Sequence, residues 1–330
     1  MNKLQDLISS LASDLKKVDK IILEFAVGKS PLIQEISNHL ISSGGKRIRP
    51  ILLILASQLC GAKSENNHHN LAAAVELIHS ATLLHDDVVD VSQVRRGKKT
   101  ANAIWDNKSS ILVGDYLFSI AFQLMVRGKN LQVLDLLAKA SSIMADGEVM
   151  QLENSSDVGL SQEKYFEIIF GKTAVLFSAA CEAGALLNSR PESEILALRN
   201  FGKNLGIIFQ IVDVLLDYSS KQSVLGKDVG NDFFEGKVTL PIILTYQKAD
   251  ETQRKFIAET FTKNLLGQEK NLDEFARILE LIKKHDGFKA SQELALKHRQ
   301  LALKNLEIFT TSSEKENLIT ILDYSLSRIS

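Results

Sequence analysis

The chain predicts an all-α protein of one domain, and three observations carry that prediction. Apolar residues recur at three- and four-residue intervals almost throughout its 330 residues. No run of alternating β-branched residues sits between hairpin turns. No Pro/Gly linker and no internal repeat divides the chain, so residues 1–330 read as one domain, although the length is somewhat above that at which single cores usually split.

Composition narrows the function. A hydrophobic content of 45% with four prolines fits a packed helical globule. A net charge of −1 gives no global basic field for nucleic acid, so local basic clusters need local explanations. Cys60 and Cys181 have no paired spacing, which fits a reduced compartment and no disulfide framework. The N-terminal stretch carries Asp6 and Asp14 within a helical period, unlike a signal or transit peptide. No uncharged apolar run reaches the roughly 18 residues of a membrane span. A soluble cytoplasmic protein is expected.

Taken in order, the helices are separated by Gly-, Ser-, Asn- or Asp-rich breaks at 28–30, 43–47, 61–69, 153–161, 188–193, 219–236 and 309–314. Pro31, Pro50 and Pro191 fall where a first helical turn tolerates proline. His68 and His69 read as loop residues and His85 as structural. The first informative loop is SGGKRIRP, running into the apolar helix ILLILA. Its glycines permit close backbone approach to a ligand, and Lys46 and Arg49 lie near a helix N-terminus, where anions are favoured.

The stretch Leu71–Thr100 begins as an apolar helix, acquires Asp86, Asp87 and Asp90, and then presents Arg95 and Arg96. At about 100° per residue Asp90 falls about 40° from Asp86, on the side of Val75, Ile78 and Thr82. The carboxylates therefore end an apolar stripe, where desolvated charge needs a cation. The arginine pair calls for an anion. Phosphates bridged to Asp86 and Asp90 by magnesium satisfy both, and the oxygen-only donor set argues against zinc. His79 lies about 20° from Asp86 on the wheel and roughly 10 Å down the axis.

Farther on, Gly171-Lys172-Thr173 fails as a P-loop because Phe166 stands where that motif needs glycine. Taken alone, Lys172 either snorkels to the surface or faces a buried anion, and snorkelling is the default. FQIVDVLLDY repeats the pattern of two carboxylates four apart, Asp213 and Asp217, within an apolar helix. A loop with Lys227 and Lys237 follows.

Together GGKRIRP, HSATLLHDDVVD, RRG, GKT, FQIVDVLLDY and GKDVGNDFFEGKVTLP resemble the ordered motifs of the trans-prenyl diphosphate synthases, from about Gly44 to Pro241. The similarity is nearest to the long-chain members that make quinone side chains. That resemblance implies a mostly antiparallel helical bundle of the isoprenoid synthase type around a central cavity, usually dimeric. It implies up to three magnesium ions, with Asp86 and Asp90 ligating two, Asp213 a third, and Asp87 and Asp217 supporting through water. Arg95, Lys172, Thr173, Gln210 and Lys227 would hold the diphosphate of an allylic substrate such as farnesyl diphosphate, with Lys237 nearby. Lys46, Arg49, His79 and Arg96 would hold isopentenyl diphosphate. A membrane or carrier is the candidate route for product release.

In the family, bulky aromatics four or five residues before the first Asp shorten the product. Here those positions are Thr82 and Ala81, with Ile78 and Val75 below them, which implies an open tunnel and a product of about eight to ten isoprene units. One departure is Val214, where the second motif usually has an acid; loss of an outer-shell group typically costs 10–100-fold in metal affinity. A terpene cyclase would have no use for Lys46, Arg49 and His79. A non-catalytic partner subunit, for which Val214 is the only positive sign, and a shorter-chain, geranylgeranyl-type synthase are the other readings.

Overall fold

The computed structural model describes residues 3–42, 44–62, 68–219, 229–265 and 271–328. Lys227, with the rest of 220–228, lies outside the described residues. Seventeen α-helices are described: α1 Lys3–Ser10, α2 Ala12–Phe25, α3 Pro31–Ser42, α4 Ile48–Leu59, α5 His68–Val89, α6 Ala101–Ile104, α7 Asn107–Arg127, α8 Leu131–Glu153, α9 Gln162–Ile169, α10 Val175–Leu187, α11 Glu192–Asp217, α12 Asn231–Phe234, α13 Leu240–Lys248, α14 Glu251–Leu265, α15 Leu272–Lys284, α16 Gly287–Asn305 and α17 Ser313–Ser327. The all-α expectation holds, with two local departures. A two-stranded hairpin, β1 Val94–Arg95 and β2 Lys98–Lys99, follows the first acidic motif. A π-helical turn, Phe170–Ala174, joins α9 to α10.

The residues cluster into two compact units. The first comprises Met1–Ser141, Leu176–Gly202 and Leu303–Tyr324; the second comprises Ser142–Val175, Lys203–Ala302 and Ser325–Ser330. The core of the first is built on α4 and α5, where every side chain from Ile51 to Ala56 and from Leu71 to Val75 is without solvent contact. The core of the second centres on Phe233, whose ring packs edge-on against Phe261 at 5.3 Å and lies 5.1 Å from Phe275, centroid to centroid. Such pairs contribute roughly 1 kcal/mol beyond the area they bury.

Helix boundaries follow the expected punctuation in places. Pro31 is the first residue of α3, and Pro50 lies in the first turn of α4. Two readings change. The N-terminal helix is interrupted at Leu11, and His68 and His69 open α5 instead of belonging to a loop. His68 is buried, so its ring joins the apolar face and carries the helix one turn upstream of Leu71.

The far end of α5 is closed by a Schellman motif. Val91 N donates to Val88 O at 3.3 Å, Ser92 N donates to Asp87 O at 2.9 Å, and Val91 itself takes φ 50°. A β-branched residue in that region is strained. The hairpin turn that follows also uses the left-handed region twice, at Arg96 (φ 54°) and Gly97 (φ 76°), as two-residue hairpins require.

Two helical stretches are apolar and long enough to cross a membrane by length and composition, Asn107–Arg127 and Gln162–Leu187. In the second, 89% of the most apolar window is buried within the protein, so its hydrophobicity is used internally. In α7, Ile111, Leu112, Phe122 and Val126 remain exposed.

Candidate functional site

In the first unit, the end of α5, the hairpin and the loop before α4 enclose a pocket of about 530 Å³, counting its open mouth. Its lining includes Arg47, Glu76, His79, Asp87, Arg95 and Arg96. Two of the four residues expected to hold isopentenyl diphosphate, His79 and Arg96, therefore line one pocket. Burial, reinforced by the charges of Arg49, Arg96, Arg95 and Arg47, holds the His79 imidazole well below its ordinary pKa. It is a neutral ring among guanidinium groups, an arrangement that favours an anion.

The glycines of the GGKR loop have a local purpose. Arg96 Nη1 donates to the Gly44 carbonyl, and a Cβ on Gly45 would stand 2.8 Å from that same nitrogen. Any larger residue at Gly45 would displace the Arg96 head group. Lys46 is exposed; its ammonium donates to the Tyr324 hydroxyl and lies 4.4 Å from that ring's centroid. The Arg49 guanidinium stacks at 4.4 Å over Phe177.

Arg47 was not among the expected residues, yet two carboxylates hold it. Its Nη1 lies 2.6 Å from Glu76 Oε1 and its Nε 3.4 Å from Asp19 Oδ1. Glu76 is buried in the middle of α5. The sequence signal was available: one acid inside the apolar run LAAAVELI needs a buried counter-ion.

Asp86 and Asp90 occupy the last turn and end of α5, both partly exposed, with Asp90 N donating to Asp86 O at 2.8 Å. Their carboxylates offer the oxygen donors that magnesium takes. Asp87 behaves differently. It is buried, and its Oδ1 accepts from both Nε and Nη2 of Arg95 at 2.8 Å. Its carboxylate orients Arg95.

In the second unit, the π-helical turn presents Lys172 and Thr173. Lys172 Nζ is held by Glu148 Oε2 at 2.8 Å and Gln151 Oε1 at 2.7 Å, so the default snorkelling reading gives way to a half-buried ammonium with two fixed partners. Thr173 Oγ1 donates to Gln210 Oε1 at 2.8 Å. Close packing makes this possible, because a Cβ on Gly147 would meet Lys172 N at 2.5 Å. π-turns inside helices occur frequently at functional sites. Lys237 pairs with Glu235 at 2.7 Å.

The second acidic motif divides between two tasks. Asp213 Oδ1 lies 2.6 Å from Arg328 Nη2 near the C-terminus, a contact with no sequence signal. Asp217 is buried and caps α12, with Oδ1 accepting from Asn231 N at 3.2 Å and Oδ2 from Asp232 N at 3.1 Å. Burial and the Asp232 charge raise its pKa to about 7, against the two backbone hydrogen bonds. Its carboxylate thereby ties the end of α11 to the start of α12. Val214 packs into the apolar cluster of this unit beside Ile211 and Leu215.

Of the chain-length residues, Ala81, Ile78 and Val75 have no solvent contact, whereas Thr82 is partly exposed.

Comparison with known proteins places the geometry in a family context. Residues 30–282 match the profile of the family described as polyprenyl synthetase. Octaprenyl diphosphate synthase of Haemophilus influenzae is 38% identical over 98% of this chain and 97% of its own. A decaprenyl diphosphate synthase structure from Rhodobacter capsulatus superposes with a TM-score of 0.93 at 41% identity, covering 99% of each chain. A Caulobacter crescentus polyprenyl synthase, solved with calcium and isoprenyl diphosphate, gives 0.92 at 40% identity over 99% of this chain and 98% of that one.

Proposed function

The chain belongs to the polyprenyl synthetase family, and on that premise we propose that it condenses isopentenyl diphosphate with an allylic diphosphate in repeated head-to-tail steps. It is a trans-prenyltransferase making a long-chain polyprenyl diphosphate, for a quinone side chain, as a single catalytic domain spanning residues 1–330. The carrying observation is the neutral His79 amid Arg47, Arg49, Arg95 and Arg96, on the same helix that ends in Asp86 and Asp90. Such a pocket suits a diphosphate ester with its metal counter-ion.

The donor chemistry of Asp86, Asp90 and Asp213 fits magnesium; these carboxylates would hold up to three ions, with Asp87 and Asp217 supporting through water. When bound, magnesium neutralises the departing diphosphate. Lys172, fixed by Glu148 and Gln151, and Arg95, fixed by Asp87, supply preorganised positive charge to the allylic diphosphate. Thr173 locks the Gln210 amide for the same group. Lys227 would bind the same diphosphate, with Lys237 nearby. Lys46, Arg49, His79 and Arg96 orient isopentenyl diphosphate so that its alkene faces the allylic carbon. The apolar residues below Asp86 keep water from the cation, and the proton lost after addition passes to the departing diphosphate. No protein nucleophile is required.

The exposed apolar side chains of α7 support a homodimer, with Ile111, Leu112, Phe122 and Val126 as its contact face. The working form is a soluble cytoplasmic enzyme with no nucleic-acid partner, and a membrane or carrier takes the product. Incubating the purified chain with magnesium, a farnesyl or geranylgeranyl primer and labelled isopentenyl diphosphate tests the reading. Products of about eight to ten isoprene units are expected; absence of elongation would mean a partner subunit, and arrest at four units a geranylgeranyl-type enzyme.

A further inference from the structure

At the opposite end of α5 from the acidic motif, three side chains converge that the prenyl chemistry does not use. Asp14 lies in the first turn of α2, and His68 and His69 are the first two residues of α5. One donor atom of each lies within 4.8 Å of the other two. His69 Nε2 is already 2.8 Å from Asp14 Oδ1, and the two imidazoles are tilted against each other with centroids 4.0 Å apart. His68 is 5% exposed and the other two are partly buried, so the group is sheltered without being sealed.

We propose that Asp14, His68 and His69 form a binding site for a divalent first-row transition ion of the zinc class, one that ties α2 to the start of α5. Two imidazoles and one carboxylate are a borderline donor set that selects zinc, copper or nickel over magnesium and calcium. Tetrahedral zinc with bonds of about 2.0–2.2 Å sets its donors roughly 3.3 Å apart, so the widest pair here closes by no more than about 1.5 Å, within reach of side-chain rotation. The fourth position is left to water.

The surroundings carry support and one competitor. Gln58 Nε2 lies 3.5 Å from Asp14 Oδ2, on the oxygen that does not face His69, where it can orient a ligating carboxylate. Lys17 Nζ lies 3.6 Å from Asp14 Oδ1 and holds the charge position an ion would take. Its side chain is 57% exposed, so the ammonium can swing to water when an ion enters. Eighteen residues of α5 separate His68 from Asp86, about 27 Å of helix, which makes the site independent of the diphosphate chemistry.

Zinc binding to the intact protein, measured by titration calorimetry in excess magnesium and without substrate, tests the proposal. Magnesium occupies the oxygen-only carboxylates, leaving the His-containing site for zinc. One zinc per chain is expected, with a rise in melting temperature on binding. His69→Gln and Asp14→Asn should each weaken it at least 100-fold, and Lys17→Gln should tighten it. Cobalt in place of zinc should give tetrahedral visible absorption that is lost in the same two variants. Should His69→Gln fail to fold, Asp14→Asn and Lys17→Gln carry the decision. Absence of a one-to-one event in the wild type, or the same isotherm in wild type and all foldable variants, overturns the site.

Discussion

Arg328 Nη2 stands 2.6 Å from Asp213 Oδ1, and the same guanidinium lies 4.9 Å from the centroid of Phe209, one helical turn before that carboxylate. The residue assigned to a metal is therefore answered by a cation from the C-terminal end of the chain. A metal ion entering at Asp213 competes with that cation. Arg328→Gln should lower the magnesium concentration for half-maximal elongation by roughly threefold, the scale of a partly exposed ion pair. A magnesium titration of wild type and variant decides it; an unchanged or higher requirement removes Arg328 from the metal's environment.

Glu76 and Arg47 form a largely buried ion pair in the first unit, with side chains 8% and 14% exposed. Removing one partner of such a pair strands the other, and Glu76→Gln should cost about 2–3 kcal/mol in chemical denaturation. It should also raise KM for isopentenyl diphosphate, since Arg47 belongs to the loop that carries Lys46 and Arg49. Replacing both residues with Met should recover part of the stability but not the KM.

Chain length gives a test on two adjacent residues. Ala81 has no solvent contact, so Ala81→Phe overpacks the core at a cost of about 1–3 kcal/mol, while Thr82 is partly exposed and accepts a ring more easily. Both variants should yield shorter products than the wild type, resolved by chromatography of the dephosphorylated prenols. Products of wild-type length from both would remove this stretch of α5 from any role in termination.

Asp217 links stability to pH. Its ordinary value is 3.8 and its folded value about 7, so between those limits the native state keeps a proton that the unfolded state releases. Its contribution is present in full below about pH 4 and is lost as the pH rises through 7. Urea unfolding of wild type and Asp217→Asn at several pH values isolates this share. The stability of the wild type relative to the variant should fall across that interval, and a pH-independent difference would contradict the burial argument.

Val91 is 70% exposed and holds a left-handed backbone, so it has strain to lose and little packing. Val91→Gly should stabilise the protein by about 1 kcal/mol. A thermal melt reads this directly, and a destabilised variant would mean that the side chain contributes packing its exposure does not suggest.

Much of this site could be read from residue order because its chemistry is local. Asp86 and Asp90 are four apart on one helix, GGKR precedes a helix start, and Lys172 adjoins Thr173. Contacts distant in sequence could not be read. Tyr324 reaches Lys46 across 278 positions, and Arg328, just past the end of α17, reaches Asp213 from a stretch that carries no motif. The partners of Asp87 and Asp217 were equally illegible, because Arg95 and the backbone of α12 meet those carboxylates only in the folded chain. The hairpin was missed because its strands are two residues long, too short for any alternation to register.

The π-turn at Phe170–Ala174 stores one surplus residue within a helical run, so sequence spacing and angular position part company there. Trimming a single amino acid from that stretch would let ordinary α-geometry close the gap with no broken hydrogen-bond ladder. Lys172 and Thr173 would then be turned away from Glu148, Gln151 and Gln210. Such a deletion would leave a healthy far-ultraviolet spectrum and a silent enzyme, a lesion that folding assays alone would pass as harmless.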